Sequence, residues 1–341
     1  MSQAPTRKLR TWSRFGQIRR VPSEYEIVTH DANYTVRKDR VAALESNPTT
    51  PVNMWLLTYR DRSPLQADDW NGFRDPDEMT YRKYVTLQDE QETVVEGILD
   101  EFARVNHDAN LAPAWLQALA TFLTPLRYPS HALQMMEAYL GNVAPSSYIT
   151  NCAAFAAADL LRRVSLVAYR TRQLQIAHPD KGFATGERPI WETHPDWQAT
   201  RRALETALVV YDWGECLTAV NLVLRPTLEE ILLRQFGIVA DENGDQLTWL
   251  LMSNLAIDAE RNARWSAALA RYAIQKRPEN AAVLRRWVDR WTPRADEAAA
   301  GLATMLAQLP KVGRDADRTL EAAKAARARA LSDAGLLIPV S

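Results

Sequence analysis

The stretch SSYITNCAAFAAADLLRRVSLVAYRTRQLQIA, Ser146 to Ala177, decides the fold. Its residues Ala153, Ala156, Ala157, Leu160, Leu161, Val164, Val167 and Ala168 recur at i, i+3, i+4 spacing, which marks a helix with one buried face. Pro145 precedes it, and Ser146 or Ser147 is placed to cap the first turn. A helix from there to about Ala177 far exceeds the average length of about 11–12 residues, and an alanine-rich stripe lets such helices pack closely.

The same reading extends both ways from this helix. Upstream, helices are predicted over Tyr81–His107 and Ala114–Val143, the second bent near Pro125 and Pro129. Downstream come Pro195–Val210, Trp213–Phe236 with a kink at Pro226, and a long helix capped by Asp245 that reaches about Lys276. Glu279–Trp291 follows, then a separate helix capped by Thr292 with Pro293 in its first turn. An alanine-rich charged helix, Asp315 to Leu331, is expected to lie on the surface. No strand-like alternation and no fixed-period repeat stands out, so the fold class is all-α, a bundle of long helices.

The first 80 residues differ. Prolines at 5, 22, 48, 51, 64 and 76 break any periodicity, yet Trp12, Phe15, Tyr25, Tyr34, Trp55, Tyr59, Trp70 and Phe73 make the segment too aromatic for a disordered tail. An irregular arm over 1–80 ahead of a helical domain over 81–341 is the expected organisation. Its rings must be buried against its own domain or another chain.

Composition narrows the function classes. The 341 residues are 47% hydrophobic and 24% charged with a formal net charge of -1, so the chain as a whole carries no electrostatic footprint for nucleic acid. The basic run RKLRTWSRFGQIRR, Arg7 to Arg20, reads as a solvated or partner-facing arm because nothing downstream extends its charge. Cys152 and Cys216 lack CxxC spacing and sit in apolar helical patterns, as buried reduced thiols do. No signal-peptide pattern opens the chain and no apolar run is long enough to cross a bilayer, so the expected location is the cytoplasm.

A bundle of long helices invites a search for a di-iron carboxylate site, which takes a Glu from each of two helices and a Glu-x-x-His pair from each of two others. The sequence holds five histidines and no Glu-x-x-His. Only His131 lies well inside a helical region, where a core or interface role is the plainer reading. Carboxylates occur at Glu137, Asp159, Glu205, Glu215, Glu229, Glu230, Asp258 and Glu260, but arginines accompany them. Arg162 and Arg163 follow Asp159, and Arg264 lies four residues after Glu260 at ion-pair spacing. A guanidinium where a histidine is needed turns a metal cluster into a salt-bridge network. There is no G-x-S-x-G, no phosphate-binding glycine loop and no dinucleotide fingerprint either, so catalytic, metal-binding and cofactor-binding residues are all expected to be absent.

Ten stretches in order along the chain carry a resemblance. They include RTWS (Arg10–Ser13), PSEYEIV (Pro22–Val28), PVNMW (Pro51–Trp55), SPLQADDWNGFRDPDEMTYRKY (Ser63–Tyr84), PLRYPSHALQM (Pro125–Met135), DWGECLTAVNLVLRP (Asp212–Pro226) and DAERNARWSAAL (Asp258–Leu269). The chain resembles the β subunit of the hydroxylase component of bacterial multicomponent di-iron monooxygenases, in the toluene/benzene or alkene branch. The resemblance implies a ferritin-like, ribonucleotide-reductase-like bundle that lacks the iron ligands of its catalytic α partner. It places Leu160 and Arg163 at one Glu-x-x-His pair, and Glu260 with Ala263 at the other. It further implies an (αβγ)2 hydroxylase with the di-iron centre in the α subunit. An effector protein, a Rieske-type ferredoxin and an NADH reductase complete the implied system. The reaction is O2-dependent hydroxylation of an aromatic or epoxidation of an alkene, with no nucleic acid or membrane involved. Arg10, Trp12, Tyr25, Trp55, Tyr59, Trp70 and Phe73 are the expected subunit-interface residues, since large rings and arginines carry much interface energy.

Two other readings compete. One is an independently active ferritin-like oxidase with iron held by carboxylates alone, Glu137, Asp159, Glu215 and Glu260. The other is a helical adaptor or nucleic-acid-binding protein that uses the basic arm.

Overall fold

The structure, a computed structural model, describes residues 20–30, 51–311 and 315–337, and among these there is no strand. Two short helices come first, α1 (Glu24–Thr29) and α2 (Pro51–Leu56). The bundle then runs through α3 (Tyr81–Arg104), α4 (Pro113–Ala118), α5 (Arg127–Val143), α6 (Ser147–Ala177), α7 (Glu187–Thr193) and α8 (Pro195–Ala207). It closes with α9 (Trp213–Leu217), α10 (Arg225–Glu229), α11 (Phe236–Glu242), α12 (Gln246–Lys276), α13 (Asn280–Ala307) and α14 (Ala316–Asp333).

The caps are where polar side chains of the right type predict them. The Ser146 hydroxyl accepts from the Tyr148 N–H, Asp245 from Thr248 N–H, and Asp212 from the Gly214 and Glu215 N–H groups. α6 and α12 therefore span the predicted ranges. Three boundaries differ. The predicted helix ending at Phe236 continues to Glu242, because π-helical stretches at Thr218–Leu224 and Glu230–Gln235 carry the chain past Pro226. α7 falls in a region that the apolar pattern alone leaves blank. Thr292 and Pro293 start no new helix: α13 runs through them. Pro293 and Asp289 are both exposed, so the carbonyl deprived of its N–H donor faces solvent, while Trp287 and Trp291 hold the inner face.

Nearly every residue from Trp213 to Ala240 is buried, so this π-distorted helix is the axis of the bundle. The α5–α6 hairpin, α12 and α13 surround it, and α14 lies across it. α14 does more than coat the surface. It buries Thr319, Ala323, Arg327, Ala330 and Leu331, and Arg327 donates to the Thr227 hydroxyl and to Asp296. α3 is the opposite case: of its 24 residues only Gln91 and Val95 are buried. The described part of the N-terminal arm joins the same core, with Tyr25, Leu56, Leu65 and Phe73 all buried in it.

Candidate functional site

Four elements bring charged side chains together at the bundle centre. α5 supplies Glu137, α6 supplies Arg163, the axial helix supplies Asn221, Arg225 and Glu229, and α12 supplies Asn262. Residues 221, 225 and 229 follow one another at i+4, which stacks them on one helix face. Arg225 donates through Nη1 to Glu137 Oε1 at 2.8 Å and through Nε to Glu229 Oε1 at 3.1 Å. Arg163 Nη2 donates to that same Glu229 oxygen at 2.9 Å. The Asn262 amide donates to Asn221 Oδ1, the Asn221 amide reaches Glu137, and Trp265 holds Asn262 through its indole N–H. None of the four charged side chains is more than 8% exposed.

Two guanidiniums and two carboxylates balance, and the balance sets the protonation. Burial pushes the Glu229 carboxyl up, but Arg225 and Arg163 more than offset that and hold it below the usual carboxylate range. Glu137 has a single cation, and burial dominates, leaving its carboxyl raised.

A second polar cluster sits one residue along on α6 and α12. Both helices carry Asp-x-x-Arg, as Asp159/Arg162 and Asp258/Arg261, and the arginines cross over. Arg162 donates to Asp258 at 3.0 Å while Arg261 donates to Asp159 at 2.5 Å. α3 hooks onto this clasp: Tyr84 and Gln88 donate to Asp159, and Gln88 and Gln91 to Asp258. Burial, then the neighbouring Asp258 charge, push the Asp159 carboxyl up to about 6 despite Arg261. A carboxyl that titrates at about 6 in the fold and at its ordinary 3.8 unfolded favours the fold while protonated. That contribution is present below pH 3.8 and is lost as pH rises through about 6, roughly 3 kcal/mol at most. Asp159→Asn should flatten this slope, so that its denaturant midpoint relative to the parent rises between pH 4.5 and 7.5. An unchanged pH slope would refute the assignment.

The clasp also fixes the register of the centre. One residue beyond Arg162 and Arg261 come Arg163 and Asn262, both buried and both facing the centre, with Leu160 and Ala259 three positions earlier. On α6 the inward pair is Leu160/Arg163, and on α12 it is Ala259/Asn262, whereas the expected Glu260 points outward. The Glu260 side chain is 53% exposed and pairs with Arg234 at 2.5 Å. Nor does Glu260 pair with Arg264, whose guanidinium reaches Asp77 at 2.8 Å. Helical spacing allowed that pair; the loop before α3 offered Arg264 a better-placed carboxylate.

The donor set does not fit a di-iron pair. Guanidiniums fill the space between the carboxylates, and the inward Leu160 and Ala259 offer no ligand atom. The four carboxylates of the oxidase reading do not converge either: Glu137 pairs with Arg225, Asp159 with Arg261, Glu215 with Arg290 and Glu260 with Arg234. Among the described residues no three His, Cys, Asp or Glu groups are placed to hold a metal. His131 is exposed, His107 meets Asp245, His178 meets the Asp108 carbonyl, and His194 caps α8. Cys152 and Cys216 are free and buried, and burial pushes both thiols up.

The expected interface residues fall into distinct settings. Tyr25 and Phe73 are buried in the chain's own core, and Trp70 lies half-buried edge-on to Trp213. Trp55 keeps 37% of its surface exposed within a ring cluster with Tyr59 and Tyr211, its indole N–H donating to Tyr139. Arg10, Trp12 and the basic run up to Arg19 lie outside the described residues.

Comparison with known proteins gives this arrangement its family. The profile of the Methane/Phenol/Alkene Hydroxylase family matches residues 55–277. The hydroxylase component subunit beta of the toluene-4-monooxygenase system of Ectopseudomonas mendocina is 40% identical over 306 residues, 90% of this chain and 93% of that one. The oxygenase component DmpL of phenol 2-monooxygenase from Pseudomonas sp. (strain CF600) is 27% identical, covering 71% of this chain and 72% of its own length. A chain in the structure of toluene 4-monooxygenase with toluene bound in its resting active site superposes with a TM-score of 0.83 at 38% identity, over 90% of this chain and 100% of that one. A chain of the xenon-pressurised phenol hydroxylase from Pseudomonas sp. OX1 shares the fold, with a TM-score of 0.78 at 20% identity over 96% and 94% of the two chains. Profile, relatives and fold agree with the motifs read along the sequence: the chain belongs to the methane/phenol/alkene hydroxylase family.

Proposed function

We propose that this chain is the non-catalytic β subunit of a di-iron hydroxylase, with the oxygen chemistry carried by a separate α subunit. The observation that carries the proposal is the bundle centre. The position that offers metal ligands in a carboxylate-bridged bundle is closed here by Arg163 and Arg225, both at most 2% exposed. The name of the 40% identical relative supports the β-subunit role and an aromatic hydrocarbon as the substrate, with alkene epoxidation as the other branch of the same chemistry. The assembly is an (αβγ)2 hydroxylase served by an effector protein, a Rieske-type ferredoxin and an NADH reductase, acting in the cytoplasm. No helix among the described residues is long and apolar enough to cross a membrane. Residues 1–80 act as the arm that contacts the partner, and 81–341 as the supporting bundle.

The decisive experiment expresses the tagged chain alone and beside its genetic neighbours and counts iron per polypeptide. Iron-free chain in isolation, and equimolar recovery with a larger iron-containing chain in co-expression, is the expected result. Stoichiometric iron on the isolated chain would overturn the proposal.

Among the interface residues, Trp55 combines exposed ring surface with a rigid setting, as residues that dominate interfaces do. Trp55→Ala is expected to weaken assembly by about 2 kcal/mol, roughly thirtyfold in affinity, with iron per recovered α chain unchanged. Undiminished co-purification of the partner would exclude Trp55 from the interface. A melt of the isolated variant separates this effect from loss of the ring's contacts with Tyr59 and Tyr211.

A further inference from the structure

Beside the buried centre lies a cavity of about 450 Å³ between the axial helix, α12 and α14. Its inner wall is Asn221, Arg225, Glu229 and Asn262, the same groups that form the charge network. Its rim includes Arg234 and Glu260, both exposed, so the space is reachable from solvent. Two polar atoms of the network have no hydrogen-bond partner although they are buried, Arg225 Nη2 and Arg163 Nε. Arg225 itself lines the cavity.

Two glutamates from different helices, buried and sharing the Arg225 cation between them, cost too much free energy to keep ionised without positive charge at that spot. Arginine supplies the charge through a tethered group, and its planar fork bridges the two carboxylates. Arg225 reaches both Glu137 and Glu229, as a free cation lodged there would have to. Asn221 and Asn262 add neutral amide groups around the same point.

We propose that the bundle centre is a cation site whose resident cations are the guanidinium groups of Arg225 and Arg163. When either side chain is cut back, a free guanidinium-like cation occupies the place through the adjoining cavity, whose wall includes Arg225 and Glu229. The inference goes beyond the subunit reading and rests on the geometry of this centre, so the iron count described above and the test below fail independently of each other.

The test uses the full-length chain with Arg225→Ala. Thermal melts are run without additive, with methylguanidinium at millimolar concentration, and with Mn2+. The expected result is a lowered midpoint that methylguanidinium raises by about 2–4 °C, while Mn2+ does not and the parent responds to neither. The response should vanish in Arg225→Ala/Glu137→Gln/Glu229→Gln, which lacks the negative charge. Should Arg225→Ala not accumulate, Arg163→Ala is used, since it removes one of the two cations on Glu229 and leaves Glu137 paired. No response to methylguanidinium in the folded variant, an equal response to Mn2+, or an equal response in the parent overturns the proposal.

Discussion

Arg225→Met should lower the unfolding free energy by about 3–5 kcal/mol, as much as truncating a large buried side chain. The loss comes mainly from what remains behind. Glu137 is fully buried, Arg225 is its cation, and the neutral Asn221 amide at 3.4 Å does not replace a charge. Glu229 is less exposed to the change because Arg163 still donates to it. A double variant, Arg225→Met with Glu137→Met, removes both charges at similar volume and should recover most of the loss, because replacing a whole buried pair by apolar groups is often neutral. Urea melts of the parent, the single and the double variant give the answer. A single variant within about 1 kcal/mol of the parent would mean that the pair is less buried or less paired than its geometry indicates.

Asp245→Ala comes next, at about 2–4 kcal/mol, because one carboxylate serves three elements at once. Asp245 caps α12 by accepting from Thr248 N–H at 2.9 Å, accepts the Trp115 indole N–H at 2.8 Å, and meets His107 Nε2 at 3.0 Å. Removing it uncaps a helix of 31 residues and leaves the buried Trp115 donor without a partner. The pH dependence identifies the carboxylate as the cause. Burial pushes the Asp245 carboxyl up, but bonds from His107, Trp115 and Thr248 more than offset that and hold it below its ordinary 3.8. A group lowered in the fold stabilises above its unfolded pKa and loses that contribution as pH falls. The deficit of the variant should therefore be full at neutral pH and shrink below about pH 4. A deficit that stays constant into acid would point to packing instead.

These two sites show what helical spacing and cap chemistry make legible. Ser146 and Asp245 are small polar residues at the head of apolar periodic runs, and both helices begin where those residues say. Local signals also pointed to ion pairs: Arg162 and Arg163 stand beside Asp159 in the sequence, and both end in salt bridges, with Asp258 and Glu229. Pairing is another matter. Glu260 and Arg264 have ideal spacing for an ion pair, yet each finds its partner on another element, Arg234 and Asp77. Which of several permitted partners a long charged side chain takes depends on which helix lies opposite, and no local pattern carries that. The same ignorance put the second ligand-like pair one residue out of register. Only the crossed aspartate–arginine clasp between α6 and α12 shows that Asn262 faces inward and Glu260 outward. The π-helical stretches around Pro226 escaped for a related reason: a continuous apolar run tells that a helix is buried all round, not how it turns.

The weak seating of α3 has a consequence for the order in which the chain comes apart. A helix of 24 residues that fully buries only Gln91 and Val95, with Ile98, Leu99 and Phe102 partly buried against the core and Tyr84, Gln88 and Gln91 bonded to the clasp, has less apolar area to lose by detaching than α6 or α12. Local opening follows such differences, so the backbone amides of α3 should exchange with deuterium well ahead of those in α6 and α12. Protection there would rise in any assembly that covers its outer face, where Tyr81, Val85 and Val94 stand exposed. Deuterium uptake along α3 thus reports on association more sensitively than the melting of the bundle does, since the bundle is already closed and α3 is not.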